Sequence, residues 1–251
     1  MKRLLLITVS LRMLALVSPA LGADLPVYTK APALATPVYD WSGFYVGVFG
    51  GGGFGNHNIN NSLGSSSTFT NFTANYSSQG GLAGGEAGFN WQSGNYVLGI
   101  EADGFWSGIK GSDAAAINAG SFAITSVDED NLRWGGTLRA RGGFTIDRWL
   151  MFFTGGWAFG DLVHTNTDPV FGVDRFTVHA NGLTAGAGFA YALTNNVIGK
   201  FEYRYYNFNG YNRPGTPFTP NGQLPYTTES TYSVVTIGLD YKFGGPVVAK
   251  Y

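Results

Sequence analysis

Cysteine is missing from all 251 residues, which removes disulfides and thiolate metal sites alike. Charge is scarce, at 12% of the chain. Lys2, Arg3 and Arg12 take three of the fifteen basic residues and none of the sixteen acidic ones, leaving twelve against sixteen beyond residue 22. That slightly acidic balance, without a basic patch, argues against a nucleic-acid partner. Long apolar runs are also missing. Past residue 23 no stretch offers 18 consecutive apolar residues, so membrane-spanning helices are excluded.

The N-terminus has a different character. Met1-Lys2-Arg3 is a short cationic start, Leu4 to Val17 is apolar apart mainly from Arg12, and Ser18-Pro19-Ala20-Leu21-Gly22-Ala23 supplies small residues. This is the layout of a secretory signal peptide, residues 1–22, with cleavage after Gly22 and Ala23 as the alternative. Residues 23–40 hold Pro26, Pro32 and Pro37 and read as an extended arm. The rest of the chain is rich in glycine and aromatics, with 38 Gly, 19 Phe, 14 Tyr and 6 Trp in the whole sequence. An exported chain of this kind without membrane helices points to a closed β-barrel, which spans a bilayer with every backbone N–H and C=O paired.

From Trp41 to Tyr251 one unit repeats: an aromatic-rich run with period-two alternation, then a short turn or a long polar stretch. Eight runs are read, at about 43–55, 79–91, 96–107, 131–145, 149–161, 177–193, 197–208 and 231–243. The connections at 92–95, 146–148 and 194–196 are short, and those between runs one and two, three and four, five and six, and seven and eight are long and polar. Short turns at one end and long loops at the other are the topology of an eight-stranded antiparallel up-and-down transmembrane barrel, with the long loops outside the cell.

Alternation assigns the faces. Lys200, Glu202 and Arg204 alternate with Phe201, Tyr203 and Tyr205; Arg139 and Arg141 alternate with Leu138 and Ala140. Glu101 and Asp103 oppose Ile100 and Ala102, Asp240 and Lys242 oppose Leu239, Tyr241 and Phe243, and Glu86 opposes Ala87 and Phe89. A charge facing hydrocarbon costs about 2–4 kcal/mol near the midplane, so the charged faces are expected inside. Five acids (Glu86, Glu101, Asp103, Glu202, Asp240) then meet five bases (Arg139, Arg141, Lys200, Arg204, Lys242). An eight-strand lumen is only wide enough for side chains to fill it. A salt-bridged network is therefore preferred over an ion-selective pore or a catalytic carboxylate pair. Phe44, Trp91, Tyr96, Phe144, Trp149, Tyr191 and Phe243 fall on outward positions near the short-turn end. Trp106, Trp134, Trp157 and Tyr205 fall toward the other end, so two aromatic girdles are expected.

With Trp41-Ser42-Gly43-Phe44-Tyr45-Val46-Gly47 at the first strand and Gly238-Leu239-Asp240-Tyr241-Lys242-Phe243 at the last, the chain resembles the small porin-family, or outer-membrane immunogenic, barrels of alphaproteobacteria. Ala23-Asp24-Leu25-Pro26 and Lys30-Ala31-Pro32 are similar to the same group. The resemblance implies an OmpA-like transmembrane fold in the bacterial outer membrane, an abundant structural or surface-antigen role, and insertion by the barrel assembly machinery. The family's last strand ends on an aromatic. Phe243 matches, while residues 244–251 leave Tyr251 as an alternative end.

Four functions compete. The first is a structural, surface-exposed barrel that contributes to envelope integrity and surface interactions, its lumen closed by the charge network. The alternative is a narrow porin passing small solutes. A third is an outer-membrane lipid-modifying or proteolytic enzyme, which needs a nucleophile and base at the outer rim. The histidines His57, His164 and His179 read as incidental groups in or near loops, with Asp161 and Asp168 flanking His164 and Asp174 preceding His179. No local motif sets a serine beside His164 or His179, and catalysis is not expected. A ligand-binding rim of Tyr203, Tyr205, Tyr206, Phe208 and Tyr211 is the fourth. Neither cofactor nor metal is expected. Expected partners are outer-membrane lipid and lipopolysaccharide, the assembly machinery, and host or phage surfaces met through the long loops.

Overall fold

The computed structural model describes residues 39–61, 72–119, 122–168, 172–213 and 226–244. The expected signal peptide, the arm before Tyr39 and the extension after Gly244 lie outside the described residues. Eight strands run in chain order: β1 (Gly43–Asn61), β2 (Phe72–Ser93), β3 (Tyr96–Ala119), β4 (Phe122–Ile146), β5 (Trp149–Asp168), β6 (Gly172–Ala192), β7 (Val197–Arg213) and β8 (Tyr226–Lys242). Each pairs antiparallel with the next, and β8 pairs with β1, so the barrel is closed and has no edge.

The short connections sit where expected. Gly94 enters its two-residue turn at φ 59° and Asp147 enters the next at φ 52°. These are left-handed backbone positions that glycine adopts freely and aspartate tolerates. At the β6–β7 turn the Thr194 hydroxyl accepts from the backbone N–H of Asn196 (3.2 Å) and of Val197 (2.9 Å).

At the other end the strands run further than the apolar alternation indicates. β3 and β4 pair as far as Ala119↔Phe122, and β5 and β6 as far as Asp168↔Gly172. Both regions read as long loops in the sequence. The difference has a physical cause. Outside the bilayer an outward side chain need not be apolar, so the hydropathy signal stops at the membrane edge while backbone pairing continues. Irregularities at Trp106/Ile109, Leu132/Trp134 and Phe208/Tyr211 mark this outer part of the barrel.

Closure staggers the register. Leu150 pairs with Ala190, Ala190 with Lys200, Lys200 with Gly238, and Gly238 with Phe49. From Phe49 the path runs through Gly84, Phe105 and Gly135 to Gly160, ten residues beyond its start on β5. Strand tilt and stagger are linked in any closed barrel, and this stagger brings inward side chains from non-neighbouring strands to one level. Outward positions are apolar and exposed, as at Val48, Ile100, Phe153 and Ile237, each more than 60% accessible. Inside, one apolar layer at the turn end holds Tyr39, Trp41, Val97, Leu150, Phe152 and Ile198. A second, further out, includes Phe49, Phe105, Ile109, Tyr206, Phe208 and Tyr232.

Candidate functional site: the charged lumen

Arg139 of β4 is fully buried and works as a hub. Its Nη1 donates to Glu202 Oε1 of β7 at 2.5 Å, and its Nη2 donates to Asp103 Oδ2 of β3 at 3.0 Å and to Glu101 Oε1. Arg204 of β7 reaches Glu202 Oε2 (2.8 Å), Asp103 Oδ2 (3.3 Å) and Glu86 Oε2 of β2 (3.4 Å). Lys200 pairs with Glu86, and with Glu101 at 3.3 Å; Arg141 pairs with Glu101. Removing such charges from water costs several kcal/mol per ion, which only tight pairing and further hydrogen bonds offset.

Those further bonds come from hydroxyls that alternation does not single out. Tyr45 donates to Glu101 Oε2 at 2.6 Å, Thr154 to Glu202 Oε1 at 3.0 Å, and Thr137 to Asp103 Oδ2. Aromatic faces cover two guanidinium groups, Phe152 beneath Arg141 at 4.4 Å and Phe49 beneath Arg204 at 4.7 Å. Opposite Arg139, Gly156 makes room for it. A methyl group there would meet Leu138 O at 2.1 Å and Arg139 Cα at 2.7 Å. The only sequence signal for the hydroxyls is their inward parity along the strand.

Two of the ten expected charges stand differently. Lys242 is buried, but its amine donates to the Asp40 carbonyl and lies 4.6 Å from the Tyr39 ring centroid, apart from the network. It is the last residue of β8, and the stagger leaves it at the turn end. Asp240 is buried beside Gly47 and shares a hydrogen bond with Glu86, while its attraction to Lys200 closes no direct ion pair among the described residues. The ion pairs thus join four cations to Glu86, Glu101, Asp103 and Glu202, Asp240 is attached through Glu86, and of the ten expected charges Lys242 stands apart.

Below the network, residues 39–42 close over the turn end. Trp41 is 1% exposed, packs edge-on against Tyr39 at 4.9 Å, and donates its backbone N–H to Gln92 Oε1 at 2.7 Å. Tyr39 donates its hydroxyl to Asn195 O at 3.1 Å. Burial pushes the Tyr39 phenol up to about 12, opposed by the nearby Arg148 guanidinium.

The expected girdle residues face outward. Phe44, Trp91, Tyr96, Phe144, Trp149 and Phe243 are exposed toward the turn end, with Tyr191 half-buried against Trp149 at 4.7 Å. Trp106, Trp134, Trp157 and Tyr205 are exposed toward the other end. The sticky outer rim is not assembled. Tyr203 and Tyr205 point outward, Tyr206 and Phe208 are buried in the lumen, and the Tyr211 side chain lies outside the described ones.

The histidines are the largest departure. His57 and His164, expected as incidental loop groups, lie on strands inside the barrel, 1% and 3% exposed. His57 Nδ1 contacts Ser230 Oγ at 2.9 Å and Asp130 Oδ2 at 3.5 Å, and its Nε2 contacts Ser78 Oγ at 3.0 Å. His164 Nδ1 meets Asp130 Oδ1 at 2.9 Å. Ser78, His57 and Asp130 share the side-chain types of a hydrolase triad. However, Ser78 is 2% exposed, and Nδ1 lies nearer to Ser230 than to the carboxylate. A nucleophile needs an accessible site beside it and an oriented base, so this constellation reads as structural. His179 sits outside on Asp161 at 2.5 Å, and Trp134 Nε1 donates to the same carboxylate at 2.8 Å. Asp161, flanking His164 in sequence, therefore serves His179 instead.

Comparison with known proteins agrees with this architecture. Residues 26–243 match the family model of the outer membrane protein beta-barrel domain. The chain is 31% identical over 236 residues to the 31 kDa outer-membrane immunogenic protein of Brucella melitensis, covering 89% of this chain and 93% of the relative. It is 30% identical over 246 residues to the 25 kDa outer-membrane immunogenic protein of Brucella canis, covering 95% and 97%. Among solved structures, the outer membrane protease OmpT of Escherichia coli aligns at TM-score 0.45 and 14% identity over 80% of this chain and 97% of that one. A likeness that distant carries nothing about activity. Eight closed antiparallel strands, an apolar outer band and a match spanning the barrel place the chain in the outer-membrane β-barrel protein family, resident in the bacterial outer membrane.

Proposed function

We propose that this protein is a non-enzymatic, non-conducting barrel that supports the envelope and presents its outer end at the cell surface. One observation carries the reading: Arg139, Arg204, Glu101 and Glu202, from β3, β4 and β7, are each no more than 1% exposed while joined across the lumen. A hydrated path for solutes would leave such charges wet. The apolar layers on either side, one of them containing Trp41, add to the barrier. The relatives' designation as immunogenic outer-membrane proteins supports a surface-exposed role, in which the outer loops meet host or phage surfaces. Lipopolysaccharide and the assembly machinery are the partners this location supplies.

Planar-bilayer recording tests the proposal. The folded protein should show no steady single-channel current, while Arg139→Ala combined with Glu101→Ala, which empties the centre of the network, should introduce one. Stepwise current from the unaltered protein would instead support the narrow porin.

A further inference from the structure

His57, Asp130 and His164 form a second buried polar cluster that the proposed function does not use. On β1 the lipid-facing band ends at Phe54, 62% exposed, and His57 lies three residues further, outside the membrane-spanning segment. Through Ser230 and Ser78 its imidazole ties β1 to both neighbours, β8 and β2. Through Asp130 it reaches across the lumen to β4, and Asp130 in turn holds His164 of β5. Five strands thus meet at one carboxylate, two imidazoles and two hydroxyls. The Tyr232 ring stands edge-on to His57 at 5.4 Å, and Phe176 lies 5.0 Å from His164. Of the other charged groups described near this height, Lys110, Glu129, Arg133, Arg175 and Glu229 are exposed, and Asp161 is half-buried and paired with the exposed His179.

We infer that this cluster is a proton-sensitive latch: near neutral pH it holds the outer end of the barrel together across the lumen, and on mild acidification it releases that end while the membrane part stays folded. The chemistry follows from the contacts. A neutral His57 carries one N–H and one lone pair, so it donates to one serine and accepts from the other. A protonated His57 has only donors, and the serine that donated must turn. It also places a cation beside a carboxylate already shared with His164, within an apolar wall. Burial and His164 hold the His57 imidazole below its ordinary value, against the pull of Asp130. Its neutral form is therefore the one that folding favours, and stability at this end falls as pH drops through about 6.5 and below. Local opening of a segment beyond the membrane needs far less free energy than unfolding the whole barrel.

Amide hydrogen exchange on the full chain in lipid nanodiscs, at pH 7.5 and 5.0 and corrected for intrinsic rates, tests this. Exchange should rise at least tenfold at pH 5.0 around residues 55–57, 77–79, 130–132 and 230–232, and stay unchanged at 98–103, 139–141 and 200–204. His57→Gln, which keeps hydrogen bonding but cannot titrate, should show no such difference between the two pH values. Because that variant can disturb the outer end by itself, imidazole nitrogen NMR of the unaltered protein provides a second reading. His57 should titrate with a midpoint below 6.5, in step with the exchange. Equal protection at both pH values, a His57 that titrates without any change in exchange, or an unaltered pH response in His57→Gln would overturn the latch.

Discussion

Arg139 on β4 and Glu202 on β7 are joined at 2.5 Å although their strands share no hydrogen bonds. Two strands lie between them on one side of the barrel and four on the other, so the bond exists only because the sheet closes. Breaking a buried pair by removing one partner strands a charge and typically costs about 3–5 kcal/mol. Glu202→Ala is expected to destabilise the barrel by that amount in urea titrations from lipid vesicles. Replacing both groups together, as Arg139→Leu with Glu202→Leu, should recover part of the loss, and a double variant no better than Glu202→Ala would contradict the coupling.

Gly156 is a packing requirement of the same hub. A Cβ at 156 would collide with backbone on β4 at 2.1 Å, whereas at Gly50, on the lipid face, the nearest atom would stand 3.7 Å away. Overpacking a tight interior costs about 1–3 kcal/mol. Gly156→Ala should lose stability in that range, and Gly50→Ala should change it by no more than a few tenths of that. Similar urea midpoints for the two variants would rule out the steric explanation.

The closure at the turn end has its own pH signature. Tyr39 is neutral in the folded protein up to about 12, while in the unfolded chain a phenol ionises near 10. Its folded form thus holds the proton more tightly, and the stability this supplies is complete below pH 10 and lost as pH rises toward 12. Tyr39→Phe should flatten that part of the stability–pH curve, checked by urea unfolding between pH 9 and 12. A curve that keeps the same slope in the variant would place the titration elsewhere.

Ile100 tests the outward face. It lies between Leu98 and Ala102 on the lipid side of β3 and is 63% exposed. Ile100→Arg should cost about 2–4 kcal/mol for a cation near the midplane, measured by reversible folding into vesicles. A cost below 1 kcal/mol would place this position near an interface rather than the midplane.

The inward direction of the lumen charges is legible in the residue order itself. Period-two alternation is a local property of the backbone, so Glu101 and Asp103, or Lys200, Glu202 and Arg204, declare a common face from their spacing alone. The cost of a charge in hydrocarbon then says which face is inside. Strand cores, antiparallel order and short-turn positions come from the same local rules, and the closed eight-stranded barrel agrees with them.

Which inward groups touch is a different matter. Partners are set by a ten-residue stagger that arises only on closure, and no segment of sequence carries it. That stagger joins Arg139 to Glu202, leaves Lys242 at the turn end with Asp40, and turns His57, three residues past the lipid band in a stretch of Asn and Gly, into a buried bridge between β8, β2 and β4. The outer strand extensions are hidden for a related reason, because pairing there is carried by backbone groups identical in every residue. The sequence alone determined the barrel and the inward direction of its charges, through hydrophobicity and a two-residue repeat. Only the tertiary structure decided which charges meet, because contact across a lumen depends on the geometry of the closed sheet.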